Sequence, residues 1–195
     1  MRFGILGPFE VADDHGRELV LGGRKQRSVL AILLLHAGTA LSSERLIDEL
    51  WGERAPLSAA NTIHVYVSNL RKALGEGLLV TCTAGYVLQT DQVELDAVGF
   101  QTLAAGGRRA LREGDPQRAS DALRRALGLW RGSPLADFAY EAFAQSEIAR
   151  LEEARLAALE ECSTRGCSWE SMLSWSESWV CWPGNNRCAS VSAGS

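Results

Sequence analysis

Residues 59–75 read AANTIHVYVSNLRKALG and carry the most informative pattern in the chain. Apolar side chains recur there at helical spacing, which is the period of one buried helix face. These side chains are Ile63, Val67, Leu70 and Leu74. Pro56 and Ser58 provide signals for a helix start, and Gly75 provides one for its end. We therefore predict an amphipathic helix that ends at Leu74.

The opposite face of this helix is polar. It carries Asn61, His64, Ser68, Arg71 and Lys72. A helix in the major groove of DNA needs short hydrogen-bonding side chains for the base edges and cations for the phosphates. An ordinary surface helix with a solvated face shows the same pattern, so the neighbouring elements have to decide between the two interpretations.

The elements on either side of this helix complete a winged-helix plan. We predict, in order, an apolar strand from Phe3 through Val11, a return strand at 19–21, helices at 24–36 and 44–51, and a hairpin of residues 78–80 and 86–88. Ser42-Ser43 is a cap for the second helix, and Gly38 ends the first. Strands, three helices and a hairpin predict an N-terminal winged helix-turn-helix domain over residues 1–92.

Residues 93–161 change to a helical period. Breaks at 114–116 and 132–134 separate three amphipathic segments that are rich in Ala and Leu. Paired helices of this kind resemble tetratricopeptide units. The predicted fold class is therefore mainly α with small β-sheets, a winged helix followed by a helical domain similar to those repeats.

The net charge of −4 is unevenly distributed. Residues 1–90 carry nine basic and nine acidic side chains, and the excess acid lies in residues 91–161. Affinity for DNA must then come from local cations. Residues 23–27 read GRKQR and place three cations at the start of the predicted first helix, where they oppose the helix dipole. A bound phosphate would offset this cost, and a solubilising cap is the alternative interpretation.

The sequence favours neither a membrane protein nor an enzyme. The longest apolar run, at 29–35, is too short to cross a bilayer, and we see no secretory signal, so we expect a cytoplasmic, nucleoid-associated protein. His15, His36 and His64 lie apart from any nucleophile-like cysteine, and no phosphate loop or metal-binding histidine pair is evident. We expect no catalysis, no metal, no cofactor and no small-molecule ligand.

Several short motifs resemble the OmpR-type effector domain. They are Lys25-Gln26-Arg27 with Leu30-Ala31, LIDELWG at 46–52, VSNLRKALG at 67–75, and Gly85-Tyr86. The opening Leu6-Gly7 strand, with no receiver domain before it, resembles the Streptomyces antibiotic regulatory protein (SARP) family. Motifs of the second half resemble the bacterial transcriptional activation domain of that family. These are LWRG at 129–132, Pro134-Leu135, RLEE at 150–153 and LAALE at 156–160.

This resemblance implies an activator of a secondary-metabolite (antibiotic) gene cluster that binds direct repeats in double-stranded DNA, commonly with a second protomer, and contacts RNA polymerase. It implies base-reading roles for Asn61, His64, Ser68 and Arg71. It implies phosphate contacts by Arg24, Lys25, Thr62 and Lys72. A polymerase-facing loop would consist of Glu53, Arg54, Ala55 and Pro56. The wing, at Thr83, Ala84 and Gly85, lacks the cation that such wings often carry for the minor groove.

Residues 162–195 differ from the rest of the chain. They hold four of the six Trp, four of the five Cys and nine Ser, with neither a helical nor a strand period. Back-translated and read in a neighbouring frame, they regain helical periodicity, so we interpret them as a frameshifted tail, of the gene or of its sequencing, and expect disorder and a destabilised preceding helix. A metal site, a disulfide set and a membrane-interface Trp cluster are the alternatives. The cysteine spacings, four and six intervening residues, differ from those of zinc ribbons.

Two other functions fit the same sequence. The chain could be a helical-repeat adaptor whose winged helix binds no DNA, or an inactive, truncated regulator. Steep salt dependence of specific DNA binding separates the regulator from both.

Overall fold

The computed structural model describes residues 1–91 and 93–163, and it confirms a mainly helical chain with small β-sheets. The N-terminal part contains strands β1 (Arg2–Gly4) and β2 (Glu10–Ala12), helices α1 (Arg24–Leu35), α2 (Ser43–Trp51) and α3 (Ala59–Leu74), and strands β3 (Leu79–Cys82) and β4 (Gly85–Leu88). A short strand, β5 (Glu94–Leu95), leads into helices α4 (Asp96–Arg112), α5 (Pro116–Leu127) and α6 (Ala142–Ser163).

The winged-helix core forms around α3 as predicted. Its apolar stripe is fully buried and packs against α1 and α2. Ser42 caps α2, because its side-chain oxygen accepts a hydrogen bond from the backbone N–H of Arg45 at 3.2 Å. Hydrogen bonds from its own backbone N–H and from Ser42 lower the pKa of Glu44 in the same turn. The predicted end of α1 is one residue late, since His36 and not Gly38 follows the last helical residue.

The prediction of one strand from Phe3 through Val11 is wrong. The chain reverses between β1 and β2, which pair antiparallel with Phe3 opposite Val11. The alternation of apolar residues suggested a continuous strand, but residues 5–9 form a loop that is tied to the helical domain. Residues 19–21 form no strand, although Glu18 makes a single bridge to Ala12.

Strand β5 was not predicted, because two residues are too few to show a period. It pairs parallel with β1, so the first sheet has the order β2-β1-β5. The strand lies just after the boundary that we predicted at residue 92, yet it belongs to a sheet of the N-terminal domain. The two halves of the chain therefore share one sheet.

Asp96, the first residue of α4, joins the two halves further. Its side chain is fully buried, and one carboxylate oxygen accepts hydrogen bonds from the backbone N–H groups of Ile5 and Leu6, each at 3.0 Å. The same oxygen lies 3.1 Å from a guanidinium nitrogen of Arg131. A buried carboxylate needs compensation of this kind, since burying a charge without partners is costly.

The backbone around Arg131 also contacts the loop at residues 5–9 and so adds to the junction between the two halves. The N–H of Arg131 donates to the carbonyl of Leu6 at 2.7 Å, and the N–H of Leu135 donates to that of Ile5 at 2.8 Å. A side chain at Gly4 would overlap the guanidinium of Arg131 and would displace it from its present position. The loop at residues 5–9 is thus held between the sheet and the helical domain.

The helical domain stacks its helices as predicted. Asp115 caps α5 and Pro116 occupies its first turn, while the close contact of α4 with α5 is made possible by Gly107 against Leu123. Helix α6 packs on α5 and reaches Ser163, past the predicted end at Glu161, with Cys162 buried. The predicted frameshifted tail otherwise lies outside the described residues.

The junction can be tested by Asp96→Ala. This change removes the acceptor of two buried N–H groups and a partner of Arg131. We expect the free energy of unfolding to fall by about 3–5 kcal/mol, because buried donors are left unpaired. Urea unfolding followed by circular dichroism measures it. Asp121→Ala, at an exposed position of α5, is the control and should change the value by less than about 0.5 kcal/mol. Equal effects of the two changes would show that the junction does not depend on Asp96.

Candidate nucleic-acid interface

The polar face of α3 is open to solvent. Asn61, His64, Ser68 and Lys72 are exposed, and they lie on the side opposite the buried stripe. Three successive turns thus present hydrogen-bonding groups and a cation in one row, as the prediction required. This arrangement matches what a helix in the major groove presents to base edges and phosphates.

Val65 lies in the same row, and the sequence analysis did not single it out. Its side chain is 55% exposed, although a β-branched apolar residue is usually buried. Apolar groups on a reading helix contact the thymine methyl group. The signal in the sequence was an apolar residue displaced from the buried stripe, and we missed it because the search of this face considered polar residues.

Arg71 has a structural role in addition to the predicted one. Its Nε donates to the carbonyl of Leu79 at 2.8 Å, and one terminal nitrogen donates to Thr81 Oγ1 at 2.5 Å. Both acceptors belong to β3, so the guanidinium fastens the end of α3 to the hairpin. The side chain is half-buried, in contrast to the exposed Lys72 next to it.

A second link between α3 and the hairpin involves His64. Its Nδ1 lies 2.7 Å from the hydroxyl of Tyr86, and the two rings meet edge to face. Tyr86 is buried and is held by its backbone, which exchanges hydrogen bonds of 2.8 and 2.9 Å with Leu41. The polar face of α3 and the hairpin are therefore connected through two side chains of α3.

The cations at the start of α1 have partners inside the protein. Arg24 lies 3.1 Å from Glu141, and Lys25 donates to the carbonyl of Leu50 at 2.8 Å. Arg27, in the next turn, lies 3.4 Å from Asp137. Acids of the helical domain thus already offset part of this positive charge, and a phosphate contact stays a prediction. Arg24 remains 61% exposed, so a phosphate can still reach it.

The remaining predicted site residues are placed as follows. Thr62 is half-buried and donates its hydroxyl hydrogen to the carbonyl of Ser58 at 3.0 Å. Thr83 and Ala84 form the exposed turn of the hairpin, just before Gly85. The predicted polymerase-facing residues follow α2 in a short 3-10 helix and its continuation, all of them exposed: Glu53, Arg54, Ala55 and Pro56.

Within the described ranges, 1–91 and 93–163, no group of three or more His, Cys, Asp and Glu is placed to hold a metal ion. None of the helices in this part of the chain is long and apolar enough to span a bilayer.

Family models match both halves of the chain. The model described as "Transcriptional regulatory protein, C terminal" matches residues 16–88, and that of the bacterial transcriptional activator domain matches residues 95–176. The chain is 39% identical over 171 residues to regulatory protein DnrI of Streptomyces peucetius, covering 82% of this chain and 62% of DnrI. The chain belongs to the SARP family. Both matched families are families of regulatory proteins.

Other SARP-like relatives agree. Regulatory protein AfsR of Streptomyces coelicolor is 42% identical over 161 residues, which cover 82% of this chain and 16% of AfsR. A solved structure described as Mycobacterium tuberculosis EmbR in complex with a low-affinity phosphopeptide aligns with a TM-score of 0.76 and 34% identity, over 80% of this chain and 43% of that one. The chain thus spans less than two thirds of the length of these relatives. The activator-domain match extends past the boundary predicted at residue 161 and past the last described residue.

The geometry of the hairpin can be tested at Gly85. Its φ is +131°, and an added side chain would overlap the carbonyl oxygen of Leu41. We expect Gly85→Ala to lower the free energy of unfolding by about 3 kcal/mol, because backbone strain and a steric clash add. Thermal unfolding measures the loss.

The control variant should change the free energy of unfolding in the opposite direction. Gly106 lies within α4 with nothing near an added side chain, so Gly106→Ala should raise the free energy of unfolding by about 0.5–1 kcal/mol through its higher helix propensity. A tolerated Gly85→Ala would mean that the hairpin is free to move away from Leu41, and the fixed geometry described above would then be wrong.

Proposed function

We propose that this chain is a sequence-specific DNA-binding transcriptional regulator, and that α3 reads the major groove. The observation that carries the proposal is the exposed polar row of α3. Hydrogen bonds of Arg71 and His64 attach this helix to the hairpin. Asn61, His64 and Ser68 contact base edges in this account. Membership of the SARP family supports the same assignment.

Phosphate contacts flank the reading row. Lys72 is exposed at the end of α3 and has an unobstructed approach to the DNA backbone. Arg24 and Lys25 can add to it only by giving up part of their contacts with Glu141 and Leu50. Arg71 keeps its bonds to β3 and orients the hairpin. Thr62, whose hydroxyl already bonds within the helix, offers at most an acceptor or a weak second contact.

The proposed role in transcription is the one that the family resemblance implies. We propose that the chain activates a secondary-metabolite gene cluster from direct repeats near a promoter, with two protomers side by side on the DNA. The exposed residues 53–56 are the proposed contact with RNA polymerase, and the helical domain is the part that the family model describes as a transcriptional activator. Because the two halves share a sheet and the Asp96 junction, the helical domain takes a defined position relative to the bound DNA.

One observation favours a second function, an adaptor that binds proteins and not DNA. The cations at 24–27 are paired or hydrogen-bonded within the protein, and residues 1–90 carry no net charge. Such an adaptor would show no salt-dependent affinity for any duplex. The experiment that tests the regulator also tests this alternative.

The assignment of α3 is tested by Ser68→Glu. The new carboxylate would face the electronegative base edges and phosphates, so we expect specific affinity to fall by about 10- to 100-fold. Fluorescence anisotropy with a selected duplex measures it. The control is Gln117→Glu, which adds the same charge at an exposed position of α5 and should change affinity by less than about threefold. An equal effect of both variants would remove α3 from the interface.

Salt dependence distinguishes the two functions. For the regulator, the logarithm of the association constant should fall linearly with the logarithm of the salt concentration, with a slope of about −0.9 per phosphate contacted. Lys72→Ala should make that slope shallower by about 1. A folded wild-type protein that binds no duplex at low salt would support the adaptor.

A further inference from the structure

The hydrogen bond between His64 and Tyr86 determines what His64 can offer to a ligand. A neutral imidazole has one N–H donor and one acceptor nitrogen, and the bond made by one nitrogen decides the state of the other. Nδ1 is the atom that faces the Tyr86 hydroxyl, at 2.7 Å. Nε2, on the far side of the ring, has no hydrogen-bond partner within residues 1–91 and 93–163.

The hydroxyl of Tyr86 settles the direction of this bond. Tyr86 is 4% exposed, and His64 Nδ1 is the partner of its hydroxyl among the described residues. If Nδ1 carried the proton, none of the described residues would accept the hydroxyl hydrogen of Tyr86 at this part-buried position, and leaving such a donor without a protein partner is unfavourable. The phenol therefore donates to Nδ1, and the proton of the neutral ring resides on Nε2.

We propose that Tyr86 fixes His64 as a hydrogen-bond donor, through Nε2–H, and that His64 thereby selects a guanine in the major groove. This assignment rests on the proposed function. Tyr86 is a positioning residue in it, because it acts on the DNA only through the imidazole of His64.

The choice of base follows from the groove edges. Guanine presents two acceptors, N7 and O6, whereas cytosine presents an amino donor. Adenine places an amino donor beside its N7, and thymine offers a single acceptor next to its methyl group. A lone, fixed donor is matched best by guanine and worst by cytosine. A histidine that was free to exchange its proton between the nitrogens could accept from cytosine as well.

The chain contains an internal reference for the proton position. His36 Nδ1 lies 3.0 Å from the carbonyl of Ile32, which can only accept, so this nitrogen must carry the proton. His36 Nε2 accepts from Arg45 at 3.0 Å. His36 and His64 are thus expected to hold their protons on opposite nitrogens in the same molecule.

The first experiment needs no DNA. Long-range nitrogen-15 spectra of the labelled full chain, recorded at about pH 8, distinguish the two tautomers of a neutral imidazole. We expect the Nε2–H pattern for His64 and the Nδ1–H pattern for His36. Tyr86→Phe should turn the His64 pattern into that of a mixture and leave His36 unchanged. Tyr66→Phe, the same change at a half-buried position of α3, should alter neither. An Nδ1–H pattern for His64 in the wild type overturns the proposal.

The second experiment measures base selection. Wild type, His64→Ala, Tyr86→Phe and Tyr66→Phe, each checked for folding by thermal unfolding, select binding sites from a randomised duplex pool. We expect the wild type and Tyr66→Phe to prefer guanine over cytosine at one position by about tenfold. Tyr86→Phe should reduce this preference at that position only, and His64→Ala should abolish it.

The other outcomes identify what failed. If His64→Ala weakens all sequences equally, His64 binds a phosphate, and the base assignment is overturned. If Tyr86→Phe selects the wild-type motif unchanged, Tyr86 does not position His64. Both results leave DNA binding intact, whereas a folded wild type that selects no sequence contradicts the proposed function itself.

Discussion

The carboxylate of Asp96 is the interaction on which the arrangement of this molecule depends. It is buried at the start of α4, and it replaces the strand partner that Ile5 and Leu6 would otherwise need. The guanidinium of Arg131 offsets its charge from the other side. Because β5 immediately precedes Asp96 and pairs with β1, the connection between the two halves is part of a sheet and not a flexible linker. Helix α3 and the helical domain therefore share one framework.

That framework explains how the cations near α1 are used. Arg24 was expected to meet a phosphate, yet Glu141 of the helical domain lies beside it, and Asp137 lies beside Arg27. Exposed ion pairs of this kind contribute little stability, about 0–1 kcal/mol each. They still connect the N-terminal domain to the helical domain. DNA phosphates can compete with Glu141 for Arg24. Because residues 1–90 carry no net charge, the proposed DNA recognition depends mainly on short-range contacts of α3.

The sequence predicted what local periodicity and turn chemistry determine. The stripe of α3, the cap at Ser42 and Pro116 at the start of α5 all follow from neighbouring residues. The reversal between β1 and β2 had a local signal in Gly7-Pro8, which the apolar alternation obscured. The bonds of Ile5 and Leu6 to Asp96 had none, because Asp96 is about 90 positions away in the chain. The bond of His64 to Tyr86 was hidden because the two residues are far apart in the chain, and Val65 was missed because only polar residues of that face were considered. The polar residues of the candidate site could thus be predicted from the sequence, but the contacts that hold them in place could not.

The central claim is that the exposed row of α3 binds specific DNA. Footprinting of the full chain on promoter fragments from its own gene neighbourhood, at low and at moderate salt, tests it most directly. The account predicts protected direct repeats on one face of the duplex, with guanine N7 protected from methylation in the major groove, and protection that weakens steeply as salt is added. A folded protein that protects no sequence at low salt, or that protects only minor-groove positions, would contradict it.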